Sequence, residues 1–179
     1  MSVSNEFASA REGAARYVSA LIARLGGRDP LEVQAELPER LAEALAGVDD
    51  RVLRTPEAPG KWSIVEVVQH LADSEIVYGY RMRKIAAEPG CAITGFDQDR
   101  WTRELRYNEV DLEGAVAALT AMRAANLRFL RARTADELER HGVHGERGNE
   151  SVWRIAQLLA AHDLNHLDQI RRIRVALAG

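Results

Sequence analysis

An all-α fold, an antiparallel four-helix bundle forming a single domain over residues 1–179, is what this sequence predicts. Three observations carry that expectation. Apolar residues recur at helical spacing along most of the chain, with hardly any strand-like alternation. Capping residues, glycines and prolines punctuate long periodic segments. Long helices that each carry one apolar stripe bury those stripes most simply against one another.

The elements follow in order. Residues 1–10 read as a loose lead-in. A first helix is expected over 12–25, where Ala15, Val18, Leu21, Ile22 and Leu25 repeat and Gly26, Gly27 and Pro30 end it. A second helical piece, 38–45, carries Leu41 and Leu45 and continues the same bundle edge. Residues 52–60 are a turn-rich link. Ser63 followed by Glu66 is a capping-box pair, and Val67, Leu71, Ser74, Tyr78 and Met82 line a long helix to residue 87. Pro89 and Gly90 stop it. Residues 91–109 look irregular, yet Phe96, Trp101 and Tyr107 are expected to pack across the bundle. Most loops in compact domains run to ~4–6 residues; longer ones often border a site.

A third helix is expected over 112–133 on Val116, Leu119, Met122, Leu127 and Leu130. Thr134 with Glu137 caps a short extra turn. Residues 140–150 hold His141, His144 and glycines at 142, 145 and 148, and read as an open loop. The last helix starts near Ser151 and runs to about residue 176. Its stripe includes Ile155, Leu158, Leu159, His162, His166, Gln169 and Ile170.

Charge and cysteine content narrow the function classes. The formal net charge of -3, with basic residues such as Arg123 and Arg128 dispersed among acids, gives no drive toward nucleic acid. Arg171, Arg172 and Arg174 suit a helix C-terminus. One cysteine, Cys91, excludes an internal disulfide and a cysteine-based zinc knuckle, and fits a cytoplasmic setting. The first 20 residues do not resemble a signal peptide, and no stretch approaches the ~18 apolar residues of a membrane span.

The chemistry lies in the histidines. His162 and His166 are four residues apart, on one helical face among Leu158, Leu159 and Ile170. Two imidazoles on an apolar face need polar partners, and one metal ion serves both. His70 occupies a similarly core-directed position, and the three rings meet if the two helices start at the same end of the bundle. Three nitrogen ligands and one open position make a catalytic type of site, not a closed structural one. Imidazole suits zinc, nickel and iron alike. The plain alternative is three core histidines without metal. Glu66 and Asp73, close to His70 on the same helix, are candidate proton acceptors, although Glu66 is more simply the capping acid. Asp163 points away from the pair, and Gln169 is placed to bond a ligand ring or a bound water, the plain alternative being a core amide bonded to a neighbouring helix. His141 and His144 are expected to face solvent, with one of them able to reach the site; Trp62, Trp101 and Trp153 are expected as packing anchors.

The chain also resembles a known family. Pro59-Gly60-Lys61-Trp62-Ser63-Ile64, then His70-Leu71-Ala72-Asp73-Ser74-Glu75 with Arg81 following, Phe96-Asp97 and Trp101, and His162 through Ile170 are together similar to the DinB-like superfamily. That superfamily includes YfiT-type hydrolases and thiol-dependent S-transferases. The similarity spans about 12–175. It implies a four-helix bundle holding one divalent metal ion on His70, His162 and His166, zinc or nickel first, iron or manganese next. It implies a transferase or hydrolase acting on a small electrophilic substrate, with a low-molecular-weight thiol as a cosubstrate, and a homodimer. A stress-related bundle that binds metal or a small ligand without catalysis is the alternative from another class. Neither nucleic acid nor membrane is expected as a partner.

Overall fold

The computed structural model describes Gly13 and residues 16–177. The lead-in expected over 1–10 lies outside the described residues. Helix α1 occupies 16–23. It is followed by α2 (Pro30–Leu45), α3 (Asp50–Arg54), α4 (Ile64–Ala87), β1 (Ala92–Ile93), α5 (Gln98–Glu104), a 3-10 turn (Tyr107–Glu109), α6 (Leu112–Arg131), α7 (Ala135–Leu138), β2 (His141–His144), β3 (Gly148–Ser151) and α8 (Val152–Leu177). No helix among the described residues is long and apolar enough to cross a membrane.

The four bundle helices are α2, α4, α6 and α8. One end of the core joins Ile64 and Val67 of α4, Ala115 and Leu119 of α6, Leu41 and Ala44 of α2, and Ile170 and Ile173 of α8. The other joins Met82 and Ile85 of α4, Leu130 of α6, and Val152 and Ile155 of α8. Thus α4 and α6 run side by side in the same direction. Helix α8 opposes them, and α2 runs with α8: Gln34 donates to the Ala156 carbonyl and Arg174 to the Ala44 carbonyl. Parallel neighbours need a connection that returns along the bundle. Residues 88–111, between α4 and α6, make that return, which explains why this irregular stretch is so long.

Three local expectations change. Pro30 begins a helix and does not end one. Asp29 caps α2 by accepting from the backbone of Leu31 and Glu32, and a proline suits the first turn, where its missing N–H has no helical acceptor. Helix α2 then continues through Pro38 and takes the bundle position. Helix α1 packs alongside it, with Val18, Leu21 and Leu25 against Val33, Leu158 and Ala161. Residues 140–150 are not open loop. They form a hairpin, β2 antiparallel to β3, with β1 added in parallel to β2. The capping boxes at Ser63/Glu66 and Thr134/Glu137 are both formed.

A buried polar cluster crosses the apolar core. Arg123 of α6 is 1% exposed. Its Nε and Nη2 donate to one oxygen of Glu75 on α4 at 2.9 and 2.6 Å, and its Nη1 and Nη2 to the two oxygens of Asp163 on α8 at 2.5 and 3.0 Å. Asn126 donates to the carboxylate and the backbone carbonyl of Glu75. Gly79 makes room for it: a Cβ there would stand 2.6 Å from Asn126 Oδ1. Arg123 Nη1 also donates to the Gln34 carbonyl of α2 at 3.0 Å. That carbonyl is the one Pro38, four residues on, cannot bond, because proline has no N–H. One guanidinium therefore fastens all four bundle helices.

Burial pushes the Asp163 carboxyl up, to about 6, although Arg123 opposes the rise. Removing the guanidinium strands two carboxylates in the core. The Arg123→Ala variant is expected to lose about 3–5 kcal/mol of stability in urea unfolding, the scale seen when one partner of a buried ion pair is deleted. A loss below ~1 kcal/mol would show that the cluster is not structurally important.

Candidate metal centre

His70 projects from α4, and His162 and His166 from α8. The antiparallel packing of these two helices brings the three rings together. His70 Nε2 lies 2.9 Å from His162 Nε2, and His166 Nε2 lies 3.0 Å from the same atom. One ligand-type nitrogen from each residue falls within 4.8 Å of the others. Gln169, one turn beyond His166, turns its side-chain oxygen to His166 Nδ1 at 2.8 Å. An oxygen acceptor there puts the hydrogen on Nδ1, so the neutral ring presents a lone pair at Nε2.

Those nitrogens fit a cation. With a lone pair at His166 Nε2, a single hydrogen on His162 Nε2 would have to serve two neighbours at once. A metal ion gives each lone pair its own partner. His162 Nδ1 is meanwhile buried without a hydrogen bond among the described residues. Burial keeps all three rings neutral, as ligation requires. It pulls His70 down to about 3, with help from His166, and pulls His166 down to about 4, with Gln169 opposing. His162 is held well below its ordinary value by burial and by the two neighbouring rings.

Trp62, just before the cap of α4, covers the outer side of the trio. Its ring centroid is 4.8 Å from that of His70, and it stacks on His166 at 6.2 Å with the planes 10° apart. An anchor is what the sequence suggested; contact with the ligand rings is what the structure adds. On the inner side, His70 and His162 form part of the wall of a cavity of about 660 Å³. Ser74, Tyr78 and Arg81 extend that wall along α4, and the return segment and the β-hairpin close it opposite.

The two candidate proton acceptors have other partners. Glu66 accepts from the Ser63 backbone N–H at 2.7 Å in the capping box. Asp73 accepts from the Tyr107 hydroxyl and, at 3.0 Å, from Gln69. Neither carboxylate bonds to one of the three rings, and neither lines the cavity among the described residues. Of the loop histidines, His141 is exposed as expected. His144 is not: it is 1% exposed and lines the cavity. The fault lay in reading 140–150 as open loop, because strand β2 turns alternate residues, Gly142 and His144, inward. Cys91 is half-buried near β1 and takes no part.

Three imidazoles converging beside a cavity define the class: a helical bundle with a histidine trio between two of its helices. Residues 35–170, a stretch holding all three histidines, match the DinB superfamily. The chain belongs to that superfamily. It is 26% identical over 140 residues to a protein of Geobacillus thermodenitrificans named "putative metal-dependent hydrolase", covering 78% of this chain and 79% of that one. A protein of the same description from Oceanobacillus iheyensis is 26% identical over 135 residues, covering 75% and 78%. Among solved structures, YfiT from Bacillus subtilis superposes with a TM-score of 0.78 at 25% identity, covering 83% of this chain and 86% of that one. It is described as a "probable metal-dependent hydrolase with an unusual four-helix bundle topology".

The buried neutral rings make metal-free stability depend on pH. Unfolded imidazoles titrate near 6.5, and folded His70 and His166 only near 3 and 4. As pH falls below 6.5 the unfolded chain therefore binds protons first. Stability present above that pH is lost progressively toward pH 4, by on the order of 1–2 kcal/mol per ring between pH 7 and pH 5. Urea midpoints of the metal-free protein at those two pH values measure the loss; equal midpoints would mean that the rings are solvated.

Proposed function

We propose that His70, His162 and His166 bind one divalent metal ion, and that the protein is an enzyme using it on a small electrophilic substrate admitted by the cavity. The observation that carries this reading is the convergence of three Nε2 atoms, with contacts of 2.9 and 3.0 Å, beside a cavity whose wall includes His70 and His162. Bound there, a divalent ion supplies Lewis acidity and lowers the pKa of a thiol or water in its open position. Thiol transfer and hydrolysis are the two reactions this allows; zinc or nickel is the preferred ion.

The chain's own residues bind and orient. Gln169 fixes the His166 ring by holding its Nδ1 hydrogen. Trp62 shields the trio from the outer side. On this reading Glu66 and Asp73 act through position: Glu66 secures the start of the helix that carries His70, and Asp73 ties that helix to the return segment through Tyr107. The carboxylates that line the cavity are Asp97 and Glu146, both exposed at its rim. Asp97 also caps α5, accepting from the Arg100 backbone N–H at 2.9 Å, which leaves Glu146 as the proton acceptor outside a helix cap.

Elemental analysis of protein purified without chelator is expected to give about one metal per chain, and none in a His162→Ala, His166→Ala double variant. Absence of metal in the native protein, even after reconstitution with zinc, nickel, manganese and iron, would reduce the trio to core residues. Turnover that depends on the metal is expected within a panel of thiols and electrophiles; tight binding with no chemical change across such panels would favour the non-catalytic alternative. Replacing Gln169 by Leu is expected to weaken metal binding roughly 10–100-fold, as loss of a ligand-orienting partner does. Competition with a fluorescent chelator reads that loss.

A further inference from the structure

The cavity wall beyond the histidine trio offers hydrogen-bond donors without partners. Arg81 is 4% exposed. Of its five N–H donors, one makes a hydrogen bond among the described residues, from Nη2 to the Thr94 carbonyl at 2.6 Å. Its guanidinium lies over the Tyr78 ring at 5.3 Å and the Phe96 ring at 5.9 Å, and no carboxylate is paired with it among the described residues. His144 accepts backbone N–H groups from Glu146 and Arg147 at Nδ1, at 3.2 and 3.4 Å. The hydrogen of the neutral ring therefore sits on Nε2, which is buried and has no partner among the described residues. Burial, reinforced by Arg147, lowers the His144 pKa and keeps the ring neutral. The buried Ser74 hydroxyl also has no partner among the described residues. Tyr78 adds its phenol to the same wall.

These groups belong to one place. Thr94, which holds Arg81, adjoins Gly95, where a Cβ would stand 3.7 Å from the His144 ring. Ser74, Tyr78 and Arg81 follow His70 at successive turns of α4 and line the same cavity. The inner wall thus presents an arginine, a neutral imidazole N–H and two hydroxyls. Its acids, Asp97 and Glu146, stand at the exposed rim. Buried donors of this kind call for an acceptor.

We infer that Arg81, His144, Ser74 and Tyr78 form a subsite for a carboxylate carried by a reactant whose reacting centre lies at the histidine trio. The inference rests on the metal-site reading above and names its substrate class. One guanidinium without a carboxylate partner among the described residues matches one negative charge. Arg147 is already engaged by Glu150 through two bonds of 2.6 and 2.9 Å, so the doubly charged phosphate is less well matched. Eleven residues of helix separate His70 from Arg81, about 16 Å of rise. The Arg81 guanidinium lies 5.3 Å from the Tyr78 ring centroid, which is itself 6.2 Å from that of His162, so the bound molecule spans roughly 10 Å between carboxylate and reacting atom.

The test is calorimetric binding to zinc-loaded and metal-free protein. The probes are 6-mercaptohexanoate, 6-mercaptohexanol, hexanoate and hexanamide, with Arg81→Met and Ser74→Ala as variants. The acids are expected to bind at least tenfold more tightly than their neutral counterparts. Arg81→Met should abolish that advantage while leaving the alcohol, the amide and the zinc content unchanged. Ser74→Ala, which removes only a hydroxyl, should reduce the advantage in part. An advantage shown by the mercapto acid alone assigns the carboxylate to a thiol reactant; an equal advantage for hexanoate assigns it to either reactant. Equal affinity of acids and neutral counterparts for zinc-loaded protein would overturn the subsite and leave the metal site standing. A protein that takes up no zinc, yet whose metal-free form prefers the acids through Arg81, would overturn the metal reading and leave the subsite standing.

Discussion

The arrangement depends on one buried guanidinium. Arg123 satisfies Glu75 on α4 and Asp163 on α8, and reaches the backbone of α2. Such clusters are weak evidence for net stability, because taking three charges out of water is costly. Their geometric demand is strict, since a slip by one residue on any helix would leave a charge unmatched. Asp163 follows His162 directly, and Glu75 lies little more than one turn beyond His70. The contacts that fix the register of α4 against α8 therefore lie within about a turn and a half of the three histidines. Positional precision at the site comes from the core beside it.

The second constraint is topological. Because α4 and α6 run the same way, the chain must travel back along the bundle between them. That return passes the α4 face where Ser74, Tyr78 and Arg81 project, and Gly95 and Phe96 become the opposite wall of the cavity. Tyr107 and Asn108 anchor its far end, through bonds to Asp73 and to Ser63 and Arg54. With α1 alongside and the β-hairpin closing one end, a bundle that could have packed solid retains a polar chamber next to the trio.

Much of this was legible in the sequence. Capping boxes announce themselves by residue type and spacing, so the starts of α4 and α7 were readable, as was the Gln169 contact with His166. The four-residue spacing placed His162 and His166 on one face. Their meeting with His70 depended on helix direction, which no local pattern encodes. The errors share a cause: residue type was read without its partner. In the sequence Pro30 looks like a stop, although Asp29 before it makes a helix start. Arg123 looks like one of many dispersed charges, although it falls four residues after Leu119 on the buried face of α6; an inward arginine is intelligible only once Glu75 and Asp163 are opposite it. The hairpin carries little strand propensity, and its pairing with β1 supplies what the sequence lacks. Glu66 and Asp73 were close to His70 in sequence but face other partners in space.

Pro38 has a consequence for how the molecule assembles. Inside a helix, proline ordinarily leaves an unfilled acceptor and a local defect. Here that acceptor, the Gln34 carbonyl, is filled by a side chain from another helix. Helix α2 cannot complete its own bonding until α6 has docked with Arg123 in place, and Arg123 cannot be buried until Glu75 and Asp163 are there to receive it. Secondary structure in one segment is thus conditional on tertiary structure in three others. Partly assembled bundles keep an open defect, and the fully assembled one does not, which sharpens the all-or-none character of folding.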